Sequence, residues 1–244
     1  HNSDLIILAG RPSMGKTAFA TNIAYNITNT YEKQKIDNPA SKGKVLFFSL
    51  EMSSEQLVTR LLSESSNISS QKIRSGEISK VEFSKIVKSS EKISNLSMFI
   101  DDSPALTISS IRTRARRIKR KEGLDLIIID YLQLIESQNK NGNDNRVKEV
   151  SDITRGLKAL AKELNIPVIA LSQLSRKVED REEKRPQLAD LRESGAIEQD
   201  ADLVVFLYRE EYYLERSEPT EGTEKHAMLS LIHISEPTRH ERIA

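Results

Sequence analysis

The sequence predicts a doubly wound α/β fold, a mostly parallel sheet with helices on both faces. Three observations predict it. Short apolar runs alternate with stretches whose apolar residues recur at helical spacing. The runs are apolar throughout rather than at every second position, as in strands covered on both sides. Their strand–helix alternation demands crossover connections, which make neighbouring strands parallel. No internal repeat interrupts this order.

The elements follow in sequence. Residues 5–9, LIILA, form a first buried strand before a glycine-rich turn, and GKTAFATNIAYNITNTY follows as a helix. After the polar stretch 32–44, VLFFSL (45–50) is a second strand. SSEQLVTRLLSES is helical, with Leu57, Leu61 and Leu62 on one face, and VEFSKIVKSSEKI is a further helix. MFID (98–101) is a third strand. In TISSIRTRARRIKRK, Ile108, Ile111, Ala115 and Ile118 recur at i, i+3, i+7 and i+10, the spacing of a helix. LDLIIID (124–130) is a fourth strand. A polar loop leads to a long helix marked by Val147, Val150, Ile153, Leu157, Leu160 and Leu164. IPVIALSQ (166–173) is the fifth strand, a charged loop follows, and DLVVFLYR (202–209) is the sixth.

Composition narrows the class. The chain has 244 residues, 37% hydrophobic and 30% charged, which suits a globular domain with a sizeable core. A net charge of +1 gives no bulk attraction to nucleic acid or membrane, so any polyanion must be met by a local patch. The absence of cysteine excludes disulfides and thiolate chemistry and permits a reducing compartment, so a cytoplasmic location is expected. No apolar run approaches the roughly 18 residues of a membrane span, and HNSDLIILAG lacks the basic start of a signal peptide. The chain begins at His1 without an initiator Met and enters a strand almost at once; it is read as a cut end, with the protein extending upstream.

The chemistry concentrates at strand ends. Gly10-Arg11-Pro12-Ser13-Met14-Gly15-Lys16-Thr17 satisfies G-x-x-x-x-G-K-[ST] and lies between a strand and a helix, as a phosphate-binding loop requires. Glycines let backbone N–H groups wrap phosphates, the helix N-terminus adds positive potential, Lys16 reaches the β and γ phosphates, and the Thr17 hydroxyl ligates Mg²⁺. ATP and Mg²⁺ are therefore the expected cofactors. Asp130, at the end of LIIID, is placed to hold the Mg²⁺ shell. Glu51, just after VLFFSL, either faces the γ-phosphate and activates water or caps the next helix. Gln173 either senses the γ-phosphate or is a solvated strand-end amide. DLRESGAIEQDAD (190–202) offers Arg192 and backbone N–H groups near Gly195 to phosphates, or is a plain loop and helix start. The basic run Arg112, Arg114, Arg116, Arg117, Lys119, Arg120 and Lys121 shares its helix with an apolar face and reads as a solvated outer surface.

Taken together, GRPSMGKT, FFSLEMS, IIIDYLQLI, ALSQLSR and DLRESGAIEQDADLVVFLYR resemble, in this order, the five helicase motifs of the bacterial replicative DNA helicase, the DnaB family. The resemblance runs from about Ser3 to Arg209. It implies a RecA-like P-loop NTPase, a homohexameric ring with ATP between subunits, and 5′→3′ translocation on single-stranded DNA. By position it implies Glu51 as the base, Asp130 as the metal-shell carboxylate and Gln173 as the γ-phosphate sensor. It further implies Arg60 packed on the nucleotide base, and Arg192, Glu193 and Gly195 in a loop touching the DNA backbone. Primase and a helicase loader would engage an N-terminal domain upstream of His1. A RecA- or RadA-like recombinase ATPase, or a P-loop module that loads a helicase, are the alternatives; SLEMS and RESGAIEQDAD favour the helicase.

The family pattern continues into another strand and a K-x-R segment that reaches the neighbouring subunit, and this chain does not follow it there. LSLIHISEPTR (229–239) instead resembles the translation of a transposon-end sequencing adapter. The expected organisation is thus one ATPase domain over 1–228 and a non-native tail over 229–244.

Overall fold

The computed structural model describes residues 1–38, 41–136, 146–191 and 194–214. Six strands, β1 (Leu5–Gly10), β2 (Val45–Ser49), β3 (Met98–Asp101), β4 (Leu126–Asp130), β5 (Val168–Gln173) and β6 (Leu203–Phe206), form one sheet in the order β3-β2-β4-β5-β1-β6. Every pairing is parallel. The helices are α1 (Lys16–Gln34), α2 (Ser54–Ser66), α3 (Ser70–Ser75), α4 (Lys80–Ser94), α5 (Ile108–Lys121), α6 (Arg146–Leu164), α7 (Ser194–Asp200) and α8 (Glu210–Leu214). The bounds at 228 and 229–244 lie outside the described residues.

The chain separates into two compact units, residues 1–58 with 94–207, and residues 59–93 with those from 208 onward. The first holds the sheet. Alternation within each buried strand divides its core in two. Leu5, Ile7, Leu46, Phe48, Ile127, Ile129, Val168 and Ala170 face one side, with Ile111 and Ala115 of α5 and Ile153, Leu157 and Leu160 of α6. Leu8, Val45, Phe47, Leu126, Ile128, Ile169 and Leu171 face the other, with Ala20 and Ala24 of α1 and Leu57 of α2. Apolar side chains covered on both faces are why the central strands read as continuous apolar runs.

The outer strands differ from expectation. β3 is only half-buried, and β6 is shorter than the predicted 202–209 and leaves Leu203 51% exposed. Both are sheet edges, where one flank has no neighbouring strand. Asp202 stops β6 from starting earlier: its Oδ2 accepts from Leu5 N (2.7 Å) and Lys158 Nζ (2.5 Å). A second aspartate acts alike at the same rim, Asp125 Oδ2 accepting from Gly43 N (2.8 Å) and Lys44 N (3.0 Å). These contacts also account for β4 beginning at Leu126 rather than at 124.

The basic helix α5 is neutralised by its neighbours. Arg112 and Arg116 both pair with Glu163 of α6, and Arg114 Nη1 donates to Asp101 Oδ1 (2.7 Å) and Ser103 Oγ (2.7 Å). The outer-face reading of this run is what the structure contains.

In the second unit α3 is a turn the periodicity did not predict, since six residues give too short a pattern. Ser69 Oγ accepts from Lys72 N at its start, and Gly76, with φ 74°, ends it. A reciprocal cap starts α4: Ser79 N donates to Glu82 Oε2 (2.9 Å) and Glu82 N to Ser79 Oγ (3.2 Å). The hydrogen bonds from Ser79, with Lys72 beside them, hold the Glu82 carboxyl down at about 2. In α8 the Tyr213 ring stacks on Tyr208 at 5.6 Å.

The α5–α6 contact can be tested at Gly156, where an added Cβ would lie 2.6 Å from Ile108 Cγ1. Overpacking of about 1–3 kcal/mol should outweigh the roughly 1 kcal/mol that alanine gains over glycine in a helix. Gly156→Ala is expected to lower Tm; a raised Tm in a thermal melt would show that the two helices separate without cost.

Candidate nucleotide site

The loop between β1 and α1 is built by two left-handed residues. Ser13 has φ 65° and Gly15 has φ 87°, ψ 21°. Such turns gather successive backbone N–H groups into an anion-binding concavity. Gly15 suits the second position because a Cβ is strained there. Gly10 has a spatial reason instead: a Cβ would sit 3.1 Å from Leu207 O. Met14 is buried and anchors the loop in the core, while Pro12 and Ser13 are exposed at its tip. Lys16 Nζ reaches back to donate to Gly10 O (2.8 Å) and Arg11 O (3.0 Å). Burial pushes the Lys16 ammonium below the ordinary lysine range, the carboxylates of Asp130 and Glu51 pull it up, and the Arg11 guanidinium adds to the lowering.

The ladder sets the other groups beside this loop. Gln173 of β5 pairs in register with Gly10 of β1, and Asp130 of β4 with Ser49 of β2. Leu50 N then donates to Asp130 O (2.7 Å), and Glu51 follows immediately. In the sheet order β2-β4-β5-β1 these strands are consecutive, so Glu51, Asp130, Gln173 and the phosphate loop share one C-terminal rim. Ligands of open α/β sheets bind at such a rim. Asp130 is 1% exposed, whereas Glu51 is exposed. Both are near enough for their charges to act on Lys16.

No group of three or more His, Asp or Glu side chains able to hold a metal occurs among the described residues. The donor set does suit a cation shared with phosphate. The Thr17 hydroxyl and Asp130 carboxylate are hard oxygen ligands, and Mg²⁺ typically takes one or two carboxylates with phosphate and water.

Two further features were not legible as motifs. Gln133, on the 3₁₀ turn Leu132–Leu134, brackets the predicted sensor. Its Nε2 donates to Ser172 Oγ (2.9 Å) and Gln173 O (3.3 Å), and its Oε1 accepts from Gln173 N (3.3 Å). The phosphate-loop side chain of Arg11 is buried and turned onto Glu179 and the Leu174 carbonyl. Sequence places Gln133 three residues beyond Asp130 and Glu179 far along the chain; neither separation announces contact. Of the other expected residues, Arg60 is exposed on α2 within the second unit. Arg192 and Glu193 lie outside the described residues, and Gly195 stands in the first turn of α7.

Comparison with known proteins agrees with this geometry. A family model of the DnaB-like helicase C-terminal domain matches residues 1–235. The replicative DNA helicase DnaB of Rickettsia bellii (strain RML369-C) is 64% identical over 228 residues, 93% of this chain and 45% of that protein. The replicative DNA helicase DnaB of Geobacillus stearothermophilus is 52% identical over 217 residues, 88% of this chain and 45% of that protein. The chain spans about half the length of the curated relatives it matches. A solved helicase ATPase domain superposes with TM-score 0.78 at 41% identity, covering 89% of this chain and 73% of that one. A solved DnaB-like replicative helicase, described with its interactions with primase, also has TM-score 0.78 and 41% identity, over 90% of this chain and 50% of that one. The expected RecA-like fold is borne out.

The role of the loop cation is directly testable. Lys16→Ala removes the charge held over the loop and is expected to weaken nucleotide binding at least about tenfold, a loss of about 1.4 kcal/mol or more. Titration with a fluorescent nucleotide measures it; unchanged affinity would reject the phosphate-loop assignment.

Proposed function

The chain belongs to the DnaB-like helicase C-terminal domain family, and from that premise we propose that it is the ATP-hydrolysing motor of a replicative DNA helicase. The observation that carries the reading is the shared rim, where the sheet register sets Gly10–Thr17, Glu51, Asp130 and Gln173 on consecutive strands. A phosphate loop alone binds nucleotide; a carboxylate and an amide on the same rim suit its hydrolysis.

Each group then has a task. Backbone N–H groups of residues 10–17 and the Lys16 ammonium bind the triphosphate. The Thr17 hydroxyl and Asp130 carboxylate hold Mg²⁺, which when bound supplies positive charge against the β and γ phosphate oxygens. Glu51, exposed to water, orients the attacking water and takes its proton as the oxygen approaches the γ-phosphorus. Gln173 donates its amide to the γ-phosphate and, with its backbone bracketed by Gln133, presents that amide in one position. Arg60 packs on the base. Arg192, Glu193 and Gly195 meet the backbone of single-stranded DNA. The whole protein works as a homohexamer and meets primase and a loader through a domain upstream. No described helix is long and apolar enough to cross a membrane.

ATP-dependent unwinding of a forked duplex by the full-length protein tests this reading, and homologous strand exchange without unwinding would replace it with a recombinase. Glu51→Gln is expected to keep ATP affinity within a few fold while kcat falls by about 10²–10⁴. An equal loss of affinity and rate would reassign Glu51 to a structural cap. Arg192→Ala should weaken single-stranded DNA of any sequence alike and lower the slope of log K against log salt by roughly one. An unchanged slope would remove Arg192 from the DNA contact.

A further inference from the structure

Beyond the end of β5 the chain makes a closed loop that starts beside the nucleotide site. Its ends meet: Leu174 and Leu191 form an antiparallel bridge, and Ser175 N donates to Asp190 O (2.8 Å). Inside it, Arg181 Nη2 donates to Asp190 Oδ2 (2.7 Å), and Gln187 N donates to the same oxygen (2.7 Å). Leu174, Val178 and Leu191 are buried beneath it. A loop closed and plugged in this way moves as one piece rather than residue by residue.

Arg11 fastens that piece to the phosphate loop. Its Nη1 donates to Leu174 O (3.0 Å), and Nε and Nη2 both donate to Glu179 Oε1, at 2.9 and 2.7 Å. The Arg11 side chain is 7% exposed and that of Glu179 39% exposed. The same arginine supplies the carbonyl that accepts from Lys16 Nζ. Leu174, which it holds, directly follows Gln173, and Leu174 N donates to Gly10 O (3.3 Å). The closed loop in turn ends at Leu191, one residue before Arg192 in sequence.

We propose that the Arg11–Glu179 pair is a coupling latch, through which occupancy of the phosphate loop is transmitted to the segment 174–191 and so to DNA binding. Glu179 is a positioning residue: it acts through Arg11 and touches neither nucleotide nor DNA. Arg11 has two distinct ends at work. Its backbone belongs to the loop that senses phosphate, and its side chain grips the segment that leads to the DNA contact. The tie runs through one oxygen, Oε1, so its shape matters more than the charge of Glu179. This inference rests on the helicase reading above.

The test compares wild type, Glu179→Ala and Glu179→Gln in the full-length protein. For each, ATP turnover is measured with and without oligo(dT), together with the KM for ATP and the melting temperature. Glu179→Gln keeps an Oε1 acceptor for the guanidinium fork, whereas Glu179→Ala does not. The latch requires that Glu179→Ala keep its DNA-free rate, KM and Tm near wild type while its DNA stimulation falls at least about fivefold, the lower range of coupling between sites. Glu179→Gln should retain most of the stimulation. Full stimulation in Glu179→Ala overturns the latch, and so does an equal loss in both variants. A parallel fall of DNA-free rate, KM and Tm in Glu179→Ala also overturns it, by showing a merely structural contact. A wild-type protein that hydrolyses ATP without any response to DNA would instead reject the helicase reading, and the latch with it.

Discussion

The hydrogen-bond register of the parallel sheet is the constraint on which the site depends. Gly10 opposite Gln173 and Ser49 opposite Asp130 set the working groups at one height. Slipping a strand by one residue would shift its last side chain along the rim and turn its apolar set to the wrong face. The two cores forbid that slip, because every central strand carries apolar side chains committed to each side. Chemistry at the rim is therefore held in place by packing far below it.

The same packing shapes the electrostatics. Asp130 is almost fully buried and Lys16 is partly so, and each would be costly to keep charged alone. Their opposition, with Glu51 beside them, offsets part of that cost. Arg11 in the same loop has its own partners, Glu179 and the Leu174 carbonyl, so its charge is directed away from Lys16's neighbours rather than added to them.

Much of this was legible in the sequence, and the reason differs by element. β1, β2, β4 and β5 were readable because burial on both faces leaves nothing polar in the run. The ends of β6 were not, since an edge strand is limited by what abuts it, here the Asp202 contacts with Leu5 and Lys158. The helical spacing of Ile111 and Ala115 predicted both α5 and its buried stripe. Lys16, Thr17 and Asp130 could be read because their spacing and strand-end setting are fixed by phosphate chemistry. Glu51 and Gln173 stood open on local grounds, as many strands end in a polar residue, and it was the family resemblance that gave them roles. The contacts of Gln133 with Gln173 and of Arg11 with Glu179 join distant segments, and no period or motif encodes such a meeting.

The two aspartates at the opposite rim carry a consequence of their own. Asp202 engages the first amide of β1, and Asp125 those of Gly43 and Lys44 ahead of β2. These are N–H groups that would otherwise face water where the strands begin. Fastened by carboxylates, that rim resists fraying, and its amide protons are shielded from exchange with solvent. At the rim that carries the nucleotide loop, the carboxylates of Asp130 and Glu51 act on the Lys16 ammonium instead, and that end is the more deformable. The sheet is thus clamped at one edge and compliant at the other, the arrangement of a cantilever, and displacement produced at the nucleotide side is delivered outward instead of being dissipated in the core.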